Sequence, residues 1–267
     1  MDSSFEINSV IAGVSRTGKR SNNEDTCSGE KIADGFLIAI ADGIGGHSAG
    51  EVASALAILV LFREFRTSYR EKMSTGVVEQ LFSEIFRKAH DEIVKAASGE
   101  RDGMGTTLVA AFIREDTVVV ANSGDSRAYI IRKGIFFRTK DHSVVQSLID
   151  SHQIDPEEAR SHPYRAMLTH SLGSNFLVDT FCLPLIPGDL VLLSSDGFHD
   201  YVAEQDIATL EWDGPLKELV GRLVTEAVEI SRDNVTVVVY RASLDVNNSF
   251  SDPGSRCFKS CPDAGFP

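Results

Sequence analysis

Between Thr107 and Ile131 the chain carries three runs rich in β-branched and apolar residues, Thr107–Ile113, Thr117–Asn122 and Arg127–Ile131, joined only by short polar turns. Glu115-Asp116, Ser123-Gly124-Asp125 and, beyond the third run, Lys133-Gly134 are turn sequences, and they leave no room for the dozen or so residues that a parallel crossover needs. This spacing predicts a meander of antiparallel hairpins. Further strand-like runs at Phe36–Ala41, Leu190–Ser194 and Val235–Tyr240 extend a mainly antiparallel β structure.

Helices follow a different period. Val78, Leu81, Phe82, Ile85, Phe86, Ala89 and Ile93 recur at three- and four-residue steps, as do Leu216, Leu219, Val220, Leu223, Val224, Ala227 and Val228, so each segment buries one face. Glu51–Phe65 is apolar nearly all round in its middle and predicts a helix laid against a sheet. From Asp141 to Gly173 the sequence turns polar and contains Asp155-Pro156-Glu157-Glu158, a helix start with Pro at its first position, which predicts a small lid-like insertion. Residues 244–267 are rich in Asn, Ser, Asp, Gly and Pro without apolar period and predict a disordered tail.

The formal charge of -13 argues against a nucleic-acid partner, because few cations are left to displace phosphate counterions. Cys27, Cys182, Cys257 and Cys261 form no disulfide framework or zinc spacing and read as reduced thiols. No apolar run approaches the roughly 20 residues of a membrane span, and the first residues lack a signal-peptide pattern, so the expected location is the cytoplasm.

Acidic residues gather at predicted strand ends: Asn22-Asn23-Glu24-Asp25, Asp42-Gly43, Gly124-Asp125, Asp196-Gly197 and Arg232-Asp233-Asn234. A single Asp before Gly is an ordinary turn. Here Asp42 and Asp196 each follow an apolar strand and Asp233 precedes one, so the sheet ends would hold carboxylates in one cleft. Oxygen ligands without adjoining His or Cys suit magnesium or manganese, and a pair of such ions can activate a water for in-line attack on phosphorus. Arg20, just upstream, is the natural phosphate clamp, since a guanidinium binds two phosphate oxygens at once. A nucleotide-binding reading of Gly43-x-Gly45-Gly46 or Gly103-x-Gly105 is weak: Ser48 replaces the last glycine of the first, and no Gly-Lys-Ser/Thr loop exists.

The ordered motifs Arg20…Glu24-Asp25, Asp42-Gly43-Ile44-Gly45-Gly46-His47-x-x-Gly50-Glu51, Gly105-Thr106-Thr107, Asn122-Ser123-Gly124-Asp125-Ser126-Arg127, Ser195-Asp196-Gly197 and Arg232-Asp233-Asn234 resemble the protein phosphatase 2C (PPM) family in its bacterial form. The resemblance runs from about Ile11 to Tyr240. It implies an α+β fold, a four-layer αββα sandwich of two mainly antiparallel sheets flanked by helices, forming a catalytic domain over residues 1–243. It implies a serine/threonine protein phosphatase acting through two manganese or magnesium ions. Asp42 would bridge them, with the Gly43 carbonyl on one and Asp196 and Asp233 on the other. Glu24 and Asp25 match an acidic pair of which one member ligates directly or through water, and Arg20 would bind phosphate. Asp125 and Asp200, with Asp196, match positions where relatives hold a third, weaker ion. Residues 141–180 match the bacterial flap, and the implied partners are phosphorylated proteins, with a cognate serine/threonine kinase and its substrates among them. Eukaryotic relatives place a His directly after Asp-Gly as a proposed general acid; Ile44 stands there, which leaves His47 as a candidate for proton transfer beside its reading as a turn residue. His170-Ser171 replaces the Arg-Ala usual in bacterial relatives, and His199 falls inside the Asp196–Asp200 loop; either would touch a metal-bound water or face solvent. A non-catalytic relative that keeps the fold as a binding module is the competing reading.

Overall fold

Every strand pairing in the computed structural model, which describes residues 2–45, 49–210 and 212–242, is antiparallel. The strands are β1 (Ser3–Ile7), β2 (Ile11–Arg16), β3 (Asp25–Ile32), β4 (Gly35–Ile44), β5 (Gly105–Thr106), β6 (Leu108–Arg114), β7 (Thr117–Ser123), β8 (Arg127–Ile131), β9 (Ile135–Arg138), β10 (Asp179–Pro184), β11 (Leu190–Ser194) and β12 (Val235–Arg241). The helices are α1 (Ala49–Ser68), α2 (Thr75–Ala96), α3 (Val144–Asp150), α4 (Pro156–Ala159), α5 (Asp196–His199), α6 (Glu204–Thr209) and α7 (Leu216–Ile230). One sheet has the order β1-β2-β12-β11-β8-β9 and the other β10-β7-β6-β4-β3, with β5 joined to β4.

Alternation along each strand sends side chains to two different cores. Ile38 and Ile40 of β4, Val109 and Ala111 of β6, and Val118 and Val120 of β7 meet Ile11, Ile130, Val191, Leu193 and Val238 between the sheets. Their neighbours Leu37, Ala39, Leu108, Ala110 and Phe112 face the other way, onto α1 and α2 through Ala57, Leu61, Phe65, Phe82 and Phe86. On the far side Leu190, Leu192, Val237 and Val239 pack against Val220, Leu223, Val224 and Ala227 of α7. The result is the αββα sandwich. Because both faces of each sheet are covered, the central strands read as continuous apolar runs rather than alternating ones. Each Leu, Ile or Val so buried stabilises by about 1.5–3 kcal/mol relative to exposure.

The hairpin meander is corrected at its middle turn. β6 and β7 form a hairpin, and so do β8 and β9, but β7 and β8 lie in different sheets. The outer edge of β7 is taken by β10, so the chain cannot turn back onto it. Gly124, at φ 106°, instead carries the chain across the gap, and β8 pairs with β11.

The predicted lid lies between β9 and β10 and contains α3 and α4. Ser143 caps α3 by accepting from the Gln146 amide at 3.2 Å, while Asp155 and Glu158 form a capping box around Pro156. Bridges Ser143–Leu168 and Thr106–Leu172 close its base. β10 begins at Asp179, within the last two residues of the stretch expected for the flap. The tail over 244–267 lies outside the described residues.

Candidate metal centre

Asp25 and Asp42 stand directly opposite each other on β3 and β4. Asp42 was expected just past the end of its strand; it lies within β4, because Gly43 and Ile44 go on to pair with Thr106 and Gly105 of β5. The backbone of Asp42 is fixed on three sides: its amide donates to Thr107 Oγ1 at 2.9 Å, and its carbonyl accepts from Thr107 N and Thr106 Oγ1, both at 2.8 Å. The next residue must be glycine. A Cβ on Gly43 would sit 2.2 Å from the Gly50 carbonyl oxygen and 2.8 Å from that of Glu24.

The other sheet supplies Asp196, the first residue of α5 after β11, and Asp233, just before β12. Asn234 ties this side to the first loop: its Oδ1 accepts from Glu24 N at 2.9 Å, and its Nδ2 donates to Thr17 O at 2.8 Å and Asn22 O at 2.9 Å. Ser195 Oγ and Thr236 Oγ1 donate to Asp25 Oδ2 at 2.8 and 2.6 Å, so residues of one sheet orient a carboxylate of the other. Asp25 Oδ1 is buried without a hydrogen-bond partner. Glu24 Oε1 accepts from Asn22 Nδ2 at 3.1 Å.

Burial dominates the electrostatics of this cup. It pushes the Asp25 carboxyl up to about 6, against the lowering effect of Thr236 and Ser195. Burial and then the charges of Asp25, Asp196 and Asp125 hold Asp42 well above the carboxylate range, and burial with Asp125 and Asp233 does the same to Asp196. Asp125 is raised to about 7 by burial and by Asp141 and Asp200, and desolvation by the surrounding protein raises Asp200 as well, although that residue still reaches solvent. Arg20 sits at the rim, its Nη2 2.6 Å from Asp233 Oδ2 and its Nε donating to the Arg232 carbonyl at 3.2 Å. The structure thus gathers Asp25, Asp42, Asp196 and Asp233 with Asp125 and Asp200 beside them.

Of the imidazoles, His199 is buried with Nδ1 2.9 Å from Ser194 Oγ, and burial keeps it well below its ordinary titration range. It lines the cleft beside the cup rather than facing open solvent. His170 packs edge-on to His142 at the flap root, and His47 lies outside the described residues. Ser195, Thr236, Thr106 and Thr107 were not singled out from the sequence as supports of the site. Ser195, Thr106 and Thr107 stand within the motifs quoted above; Thr236 sits inside an apolar strand and carries no local signal.

The sequence pattern of the protein phosphatase 2C family matches residues 12–231. This chain belongs to the protein phosphatase 2C family. It is 35% identical over 215 residues to the serine/threonine phosphatase stp of Listeria innocua serovar 6a, covering 78% of this chain and 85% of that protein. A solved serine/threonine phosphatase of S. agalactiae superposes with a TM-score of 0.82 at 30% identity, covering 87% of this chain and 99% of the other. The catalytic domain of the serine/threonine protein phosphatase PstP, solved in complex with two manganese ions, gives a TM-score of 0.75 at 32% identity over 87% and 97% of the two chains.

The protein phosphatase 2C cup fits divalent cations on its own chemistry. It gathers hard oxygen donors that repel one another around buried Asp25, whose Oδ1 is left unpaired. Among the described residues no three His, Cys, Asp or Glu side chains already close on one point as around a bound ion. Asp233 is instead turned onto Arg20, and magnesium or manganese retains several waters, so few protein ligands per ion suffice.

Proposed function

We propose that in this metal-dependent serine/threonine protein phosphatase Asp42, the Gly43 carbonyl, Asp196 and Asp233 would hold two manganese or magnesium ions in the cup, Asp42 being the residue shared by both. Asp25, with Glu24 beside it, completes the set directly or through water, and Asp125 and Asp200 with Asp196 provide a third, weaker position. When bound, such a pair of ions supplies an activated water for in-line attack on phosphorus and neutralises charge on the transferred group.

The chain's own residues do the rest. Thr106 and Thr107 fix where Asp42 presents its carboxylate, Ser195 and Thr236 hold one oxygen of Asp25 and free the other, and Arg20 binds the phosphate of the incoming phosphoserine or phosphothreonine. The observation that carries this reading is the pairing of buried Asp25 with half-buried Asp42 across β3 and β4, with other carboxylates as the main charges acting on Asp42. The substrates are phosphoproteins made by a bacterial-type serine/threonine kinase. The catalytic unit spans residues 1–243 and works in the cytoplasm; no helix among the described residues is long and apolar enough to cross a membrane.

Hydrolysis of p-nitrophenyl phosphate and of a phosphothreonine peptide, with and without manganese, tests the reading. Turnover that depends on the metal is expected for both. Its absence would leave a catalytically weak binding module.

A further inference from the structure

A cleft of about 570 Å3 adjoins the cup, walled by α3 and α4 of the flap on one side and by α5 and α6 on the other. Its guanidiniums are of two kinds. Arg127 is fastened to Asp141 by hydrogen bonds of 2.8 and 2.7 Å, and Arg138 reaches Glu204 at 3.0 Å, so both are consumed in holding the walls. Arg160, at the end of α4, and Arg165, in the turn beyond it, enter no side-chain hydrogen bond or salt bridge with a described residue, and both are exposed. They nevertheless lie near enough to Asp200 for their charge to favour its ionised form. Glu157 also lines the cleft without bonding to either.

In a chain with a net charge of -13, two guanidiniums without a side-chain hydrogen bond or salt bridge to a described residue stand at the mouth of a carboxylate cup. Guanidinium matches planar carboxylate and phosphate oxygens two at a time. The same stretch exposes Tyr164 and Met167, each 52% accessible, which gives an apolar surface beside the cations. An extended peptide rises about 3.3 Å per residue, so a side chain two or three positions from the phosphorylated one lies roughly 7–10 Å away from it.

We propose that Arg160 and Arg165 form an anion-reading subsite for the residues that flank the phosphorylated one, so that the enzyme prefers phosphoproteins bearing a carboxylate or a second phosphate nearby. The inference rests on the phosphatase reading above. The two guanidiniums hold the flanking anion, and the cup acts on the phosphate beside it.

Three phosphothreonine peptides of equal length test it, identical except for a flanking glutamine, glutamate or non-hydrolysable phosphonate, with p-nitrophenyl phosphate assayed alongside in manganese. Two partly exposed ion pairs predict about a tenfold higher kcat/KM for at least one anionic peptide over the neutral one, mostly through KM, and a smaller ratio at high salt. Which anion is preferred identifies the source. The R160Q/R165Q variant brings the ratio close to one, R160K/R165K keeps part of it, and R160E/R165E inverts it. Wild-type enzyme that turns over p-nitrophenyl phosphate but treats the three peptides alike overturns the subsite, as does a preference that survives R160Q/R165Q. Failure to turn over p-nitrophenyl phosphate overturns the catalytic reading, and this inference falls with it.

Discussion

Arg20 Nη2 and Asp233 Oδ2 lie 2.6 Å apart, so the candidate phosphate clamp and a candidate metal ligand hold each other at the rim of the cup. Both side chains remain partly exposed, at 55% and 30%, and such a pair contributes little to stability. Its value is positional: it keeps a cation beside the carboxylates and leaves it free to move to an arriving phosphate.

Replacing Arg20 by Ala is expected to raise KM for p-nitrophenyl phosphate about tenfold or more, as loss of a charge-assisted bidentate contact would, and to lower kcat less. Steady-state kinetics in saturating manganese measure the split. An unchanged KM would remove the clamp role.

Asp42→Asn takes away the proposed bridging charge, and activity should drop by about two orders of magnitude or more. The same change removes a carboxylate that burial and like charges disfavour, so the metal-free variant should melt no lower than wild type at pH 7. A variant that is both active and less stable would count against the two-ion site.

The pH dependence of the metal-free protein has a definite sign. Asp25 and Asp125 titrate at about 6 and about 7 when folded, above the roughly 3.9 of an unfolded aspartate. Their contribution is fully present below the unfolded value and is lost as pH rises through 6 and 7, because ionisation is then resisted only by the folded state. Thermal melts in chelator should show Tm falling between about pH 5 and 8, while manganese raises Tm more at the upper end. A chelated protein that grows more stable over that window would refute the assignment.

Thr236→Val keeps shape but deletes a donor to Asp25 Oδ2, and it should cost about 1–2 kcal/mol of stability. It should also weaken manganese binding by isothermal titration, since Asp25 Oδ2 is left with Ser195 Oγ as its hydroxyl donor. Unaltered affinity would show that Asp25 is not part of the ligand set.

The sequence made parts of this legible for definite reasons. β6, β7, β8, β11 and β12 are covered on both faces and therefore spell out continuous apolar runs. β3, with Ser28, Gly29, Glu30 and Lys31, lies at a sheet edge and is half-exposed, so no such run marks it. β2 is masked by Gly13, which is glycine because the Phe5 ring lies where a Cβ would go, 2.3 Å away. The crossing at Gly124 was invisible because the strand that occupies the edge of β7 arrives much later in the chain. In the site, the aspartates announced themselves beside glycine or asparagine, whereas the hydroxyls that orient Asp25 come from 170 and 211 residues away. No local pattern encodes a contact of that range.

Asp25 and Asp42 come from one sheet and Asp196 and Asp233 flank strands of the other, so the interior between the sheets sets the spacing of the proposed ligands. Ile38, Ile40, Val191 and Val238 share that core, so a sub-ångström shift in its packing would displace the proposed ligands of one sheet relative to those of the other. Repacking that apolar layer is therefore expected to change manganese affinity without touching a carboxylate.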